Sequence, residues 1–298
     1  MFATIPSYFP GIPSSSRVST EMRQLAEKTL WVSIRENPET GVHNFTPALV
    51  GEFASLIDAL GQDPAAFGAE AGMPAYAVIR SQHPGYFSQG GDLRFFHECI
   101  RNGDSGHLRE YSLQCLDVLH AWATRFKATT NTISLVQGRA LGGGFELALS
   151  SDYLIAEEQS TFGFPEIMFG LFPCTGAMGL LSARTTARNA EKMMTNKRIY
   201  TAAELYDMGI VDEVCERGMG ELAVERYIAN HAKRLKSRLK VQESRYRQCP
   251  FDRQEGVRIV EDWVETAMRL DADEMRSLEM LILMQDRETP AMERRLAA

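Results

Sequence analysis

The stretch Gly138–Glu146, which reads Gly-Arg-Ala-Leu-Gly-Gly-Gly-Phe-Glu, constrains this chain more than any other. The apolar, β-branched run before it (Ile133, Leu135, Val136) has the character of a buried strand that ends at Gly138. After it, Leu147 and Leu149 continue an apolar period that predicts a helix. Three consecutive glycines at a helix start are costly to order, roughly 1 kcal/mol each relative to Ala. The bare backbone itself is therefore needed there. A helix N-terminus carries unpaired N–H groups and a partial positive charge, so this turn can stabilise a developing oxyanion. Glu146 follows one turn in, and Glu166 lies twenty residues on, after Pro165. An oxyanion cradle with two carboxylates nearby is equipment for proton transfer next to a carbonyl.

Before this centre, residues 1–20 are rich in Pro and Ser and predict an arm that orders only when docked. A strand is expected over Thr29–Arg35, and Thr46 with Pro47 opens a helix to about Leu60. Gln62–Met73 has loop composition, and Tyr76–Arg80 is a short buried strand. It leads into a second glycine turn, Pro84–Leu93, with Asp92 placed to cap the next helix. Leu113, Leu116, Leu119, Trp122 and Phe126 carry helical spacing over Leu108–Phe126.

Beyond the centre, Tyr153–Ala156, Thr161–Phe164 and Ile210–Val214 read as strands, and Ala177–Ala183, Ala187–Thr195 and Ala202–Met208 as helices. From Gly218 the pattern is wholly helical: Glu221–Lys240, Arg253–Leu270 and Asp273–Arg287. The fold class is thus α/β, with an arm (1–20), a core domain (21–216) and a helical C-terminal subdomain (217–298).

A net charge of −7 argues against nucleic acid or an anionic membrane as partner. No apolar run approaches the roughly 20 residues that a membrane span needs. The five cysteines show no metal or redox spacing, and the N-terminus has no leader pattern, so a soluble cytoplasmic protein is expected. No P-loop, dinucleotide fingerprint or G-x-S-x-G elbow occurs. His97-Glu98 lacks the second histidine of a zinc helix, and Cys174 has no accompanying base motif for a nucleophile.

Leu135–Glu146 followed by Phe162–Pro173 resembles the crotonase superfamily, whose fold is a spiral of ββα units. Phe87–Leu93 is similar to that family's first oxyanion motif, and Tyr200–Val214 to its trailing segment. By matching position, the resemblance implies that Gly91 and Gly143 donate the two N–H groups that hold a thioester oxygen. It also implies acid/base roles for Glu146 and Glu166, with no metal or organic cofactor. The long arm, the Asn102-Gly103-Asp104 break and the tail Trp263–Met268 further resemble the diffusible-signal-factor synthases. One departure is Cys174, where the family commonly has Gly.

That second resemblance implies dehydration of a 3-hydroxyacyl group on an acyl-carrier protein to a cis-2-enoyl thioester, then hydrolysis to a free acid signal. It also implies a sensor histidine kinase as docking partner and a homotrimer or hexamer. Two alternatives stand beside it: an enoyl-CoA hydratase or isomerase without thioesterase activity, and a non-catalytic binder of the kinase. Trp263, Met268 and Leu281, in the apolar stripe of the C-terminal helices, are candidates for lining an acyl tunnel, or they are plain core. The basic run from Lys233 to Arg247 suits an acidic carrier protein or a phosphopantetheine phosphate, and equally a solvated helix face.

Overall fold

Three long buried strands of the core are each followed by a short strand that leaves for a second sheet, and then by a helical segment. The structure, a computed structural model, describes residues 16–38, 40–67 and 72–296. Its elements up to the glycine turn are β1 (Val18–Gln24), β2 (Lys28–Ile34), α1 (Pro47–Gln62), β3 (Tyr76–Ser81), β4 (Tyr86–Ser88), α2 (Leu93–Arg101), α3 (Ser105–Thr124), β5 (Asn131–Val136) and β6 (Arg139–Leu141). There follow α4 (Gly143–Leu149), β7 (Tyr153–Glu157), β8 (Thr161–Gly163), α5 (Ala177–Ser182), α6 (Ala187–Thr195), β9 (Tyr200–Thr201), α7 (Ala202–Asp207) and β10 (Glu213–Cys215). Four helices close the chain: α8 (Gly220–His231), α9 (Leu235–Gln248), α10 (Arg253–Ala267) and α11 (Ala272–Leu296).

One sheet has the order β1-β2-β3-β5-β7-β10 and the other β4-β6-β8-β9. The pairs β3/β4, β5/β6 and β7/β8 each contribute one strand to either sheet, so the chain spirals. Strands β3, β5 and β7 are parallel and in step, with Val78 opposite Ile133 and Ile133 opposite Tyr153. Their short followers are in step too, with Ser88 opposite Ala140 and Ala140 opposite Phe162. This double register brings the segments after β4, β6 and β8 side by side at one end of the molecule.

The strands alternate as the period-2 rule requires. Trp31, Val78, Ile133, Leu135 and Ile155 pack under α8, through Ala223, Val224, Tyr227 and Ile228. The opposite face, with Leu30, Ile79, Val136 and Ala156, belongs to the main core with α1, α3 and α10.

Four expectations change. Residues 1–15 of the expected arm lie outside the described residues, but its end, from Val18, is the edge strand β1, paired antiparallel with β2. Only Val18 of β1 is buried, so no apolar pattern marks it. Within Gln62–Met73, Pro64–Phe67 is a helical turn that buries Phe67 completely, and residues 68–71 lie outside the described residues. The strand expected over Ile210–Val214 begins only at Glu213, because the N–H groups of Ile210 and Val211 close the end of α7 on the Leu205 carbonyl. The helix expected over Glu221–Lys240 is interrupted by a tighter turn at Ala232–Arg234.

Candidate active site

The two glycine turns meet where the register puts them. Gly90, at φ +91°, lies so close to the second turn that a Cβ there would sit 2.7 Å from the Leu141 carbonyl oxygen. A Cβ on Gly143 would lie 3.7 Å from the Gly91 nitrogen. The backbone bonds run from Phe45 N–H to the Gly90 carbonyl (2.8 Å) and from Gly142 N–H to the Gly163 carbonyl (2.9 Å). They leave the N–H groups of Gly91 and Gly143 without an acceptor among the described residues. Asp92 caps α2 through the Phe95 N–H, at 3.2 Å, which holds the first turn in place.

Glu146 is 2% exposed. Its Oε1 accepts from the N–H groups of Thr175 (2.8 Å) and Ala177 (2.9 Å), and its Oε2 from the Thr175 hydroxyl (2.5 Å). Burial raises the pKa of this carboxylate above its ordinary value, and the Thr175 and Ala177 donors offset only part of that rise. Glu166 sits at the start of the helical turn Glu166–Phe169, against Gly142. The residue as a whole is half-buried, but its Oε2 is sealed and has no hydrogen-bond partner among the described residues. Burial, and then the charge of Glu146, push its pKa up to about 8. Both carboxylates bind a proton more tightly than a free one, and the support is unequal: Glu146 has three donors that favour its anion, and the buried Glu166 Oε2 has none among the described residues.

Two cavities meet at Glu166, and Glu146 lines only the inner one. The inner one, about 60 Å³, is lined by Phe45, Val118, Leu119, Leu147 and Phe172, and the outer cleft, about 260 Å³, by Tyr86, Arg139, Phe169 and Met284. Gly91, Phe96, Glu166 and Trp263 line both. Trp263 is 2% exposed and packs edge-on against Phe96, with ring centres 5.1 Å apart. Leu281 lines the outer cleft; Met268 lines neither cavity and packs against the main core instead.

The basic run also falls away from the glycine turns. Gln242 of α9 bonds Asn131 (2.7 Å) and Asp152 (2.8 Å), at the start of β5 and just before β7. The glycine turn follows the other end of β5, one strand length of roughly 20 Å away. Within the run, Arg245 pairs with Asp152, Lys240 with Glu243, and Arg238 donates to the Tyr227 hydroxyl.

The family model for enoyl-CoA hydratase/isomerase matches residues 44–247. The chain belongs to the enoyl-CoA hydratase/isomerase family. Its spiral of ββα units is accordingly the crotonase fold. Among curated relatives, the peroxisomal bifunctional enzyme of Danio rerio is 32% identical over 163 residues, 54% of this chain and 21% of that protein. Ethylmalonyl-CoA decarboxylase of Danio rerio is 27% identical over 203 residues, 68% of this chain and 62% of that protein. The chain thus spans less than two thirds of the length of either relative.

Among solved structures, enoyl-CoA hydratase from Bacillus halodurans matches with a TM-score of 0.70 at 21% identity, over 89% of this chain and 100% of that one. Pseudomonas aeruginosa DspI matches with a TM-score of 0.67 at 22% identity, over 85% and 91%. At these identities the likeness is one of fold.

In this hydratase/isomerase-family chain, sequence reasoning missed Thr175, because an isolated threonine after Cys174 carries no periodic signal. It also missed Cys115, which lines the inner cavity with Cys174. Burial pushes the Cys115 thiol up to about 12 and the Cys174 thiol well above its ordinary value, so both stay protonated.

Proposed function

We propose that the chain dehydrates a 3-hydroxyacyl thioester on an acyl-carrier protein to a cis-2-enoyl thioester and then hydrolyses it. The product is a free cis-2-unsaturated fatty acid of the diffusible-signal-factor type. The observation that carries the reading is the carboxylate pair: Glu146 with three donors, Glu166 with an unpartnered buried oxygen, both beside the Gly91 and Gly143 N–H groups. Support for the signal-synthase branch comes from Trp263. It opens the tail Trp263–Met268, which carries that resemblance, and it lines both cavities.

The proton balance closes over the two reactions. Glu146, ionised at rest, takes the C2 proton, and the enolate charge falls on the thioester oxygen between the two glycine N–H groups. Glu166 gives its proton to the departing C3 hydroxyl, which leaves as water. Glu166 is now ionised and Glu146 protonated. In hydrolysis Glu166 takes a proton from water as its oxygen attacks the thioester carbon, and the same N–H groups hold the tetrahedral oxyanion. The C–S bond then breaks and Glu146 protonates the departing thiolate. The pair returns to its resting state.

The family match favours a second reading, an enoyl-CoA hydratase or isomerase that stops at the thioester. Incubation with a 3-hydroxyacyl-carrier protein separates them by product. Free cis-2-enoic acid supports the proposal, and an enoyl thioester alone supports the second reading. No turnover returns the chain to a non-catalytic binder such as a partner of a sensor kinase.

A further inference from the structure

The three donors on Glu146 do not come from equivalent sources. The two N–H groups are backbone and would be offered by almost any residue at 175 and 177. Gly176 makes that convergence possible: at φ +124° it turns the chain so that the flanking N–H groups reach one oxygen, Oε1. The hydroxyl on Oε2 is different, because only the side chain of Thr175 supplies it. Thr175 is 7% exposed, so water does not compete for this bond as it would at the surface. A carboxylate has about four lone-pair sites. Three are filled here, which leaves Glu146 held as an anion with one site open to a proton.

Among the described residues, the titratable groups that line the cavity with Glu146 are Glu166, Tyr111, Cys115 and Cys174. Glu166 comes from the turn after β8, Cys174 from the loop that carries Thr175, and Cys115, bonded to Tyr111, from α3. From α1 and α10 the cavity receives Val50, Phe53 and Trp263, which do not titrate. With the thiols and Tyr111 neutral, Glu166 alone competes with Glu146 for the proton.

We infer that Thr175 is a positioning residue: its hydroxyl keeps Glu146 the ionised member of the pair, so that the shared proton starts on Glu166. This rests on the dehydratase reading above and deepens it by naming the group that decides which carboxylate acts first as base.

The test uses Thr175→Val, which keeps shape and backbone, and Thr175→Ser, which keeps the donor. The pH dependence of kcat for dehydration is measured beside a ¹³C NMR titration of the glutamate carboxyl carbons. In Thr175→Val the acid limb should move up by about one to two pH units, the scale of one hydrogen bond to a charged group. The alkaline limb, set by Glu166 near 8, should stay. Thr175→Ser should restore the wild-type acid limb. In the wild-type protein, which needs no variant to fold, Glu146 should titrate below Glu166. A uniform loss of rate with no limb shift, a serine variant that behaves like valine, or a Glu146 that titrates above Glu166 overturns the inference. Should the wild type dehydrate nothing, the functional reading falls, while the NMR titration still decides the role of Thr175.

Discussion

Gly142 and Glu166 touch: a Cβ on Gly142 would run into Oε1 of the glutamate. The run of three glycines is explained residue by residue. Gly142 makes room for a carboxylate, Gly143 presents its N–H beside Gly91, and Gly144 packs on Ser88, where a Cβ would come within 2.6 Å of the serine Cβ. Gly142→Ala should therefore displace Glu166, besides straining a backbone at φ +51°, ψ −125° by about 1–3 kcal/mol. Misplacing a catalytic group by an ångström is worth about 10²-fold, so kcat should fall by that order. Steady-state kinetics beside a melting curve check this, and a folded variant with unchanged kcat contradicts it.

Glu146→Ala and Glu166→Ala should each lower dehydration by roughly 10²–10⁴-fold, the usual scale for general acid–base groups. A folded variant that keeps more than about a tenth of wild-type turnover would remove that residue from the mechanism.

Glu166 also ties stability to pH. Its folded value, about 8, lies above the ordinary 4.5, so the folded state binds this proton more tightly than the unfolded chain does. The contribution is fully present below the ordinary value and is lost as pH rises through the window up to about 8. In urea titrations the wild-type midpoint should fall across that window, and Glu166→Gln should flatten the fall. Equal slopes in the two proteins would mean that Glu166 ionises freely in the folded state.

In the outer cleft Arg139 is the one cation among the described lining residues, and it stands over the Tyr86 ring. A carrier's phosphopantetheine arm entering there would place its phosphate nearer Arg139 than the 233–247 run. Arg139→Gln should raise KM for the carrier-bound substrate, and the effect should shrink at high salt as the Debye length drops from about 10 Å at 0.1 M to about 3 Å at 1 M. Reversal of Arg234 and Arg238 to Glu should leave KM unchanged. The opposite pattern would restore the basic run as the docking surface.

The parts of this fold that were legible in the sequence are those with a strong local signature. Buried β5, the Asp92 cap and the helix opened by Thr46-Pro47 all follow from residue type and spacing. So do the glycine turns, because three glycines in a row have no reason but close approach. What escaped depends on distant partners. Strand β1 is edge, half-exposed and defined only by pairing with β2, while β4, β6 and β9 have three residues or fewer. Met268 closes the helix that carries Trp263, but five residues on it lies about 140° round the axis, and only Trp263 lines the cavities. Thr175 matters only because Glu146 comes back to it from 29 residues away.

The central claim is that one site performs both dehydration and thioester hydrolysis, and Gly143→Pro tests it most directly. Gly143 is the first residue of α4, the position at which a helix tolerates proline, and the substitution deletes the N–H outright. Circular dichroism and a melting curve establish that the variant is folded. Both dehydration of a 3-hydroxyacyl-carrier protein and hydrolysis of a pre-made cis-2-enoyl thioester should then fall by about 10²-fold or more, since both place charge on the oxygen this donor serves. Hydrolysis that survives while dehydration is lost would place the thioesterase elsewhere in the chain and contradict the one-site account.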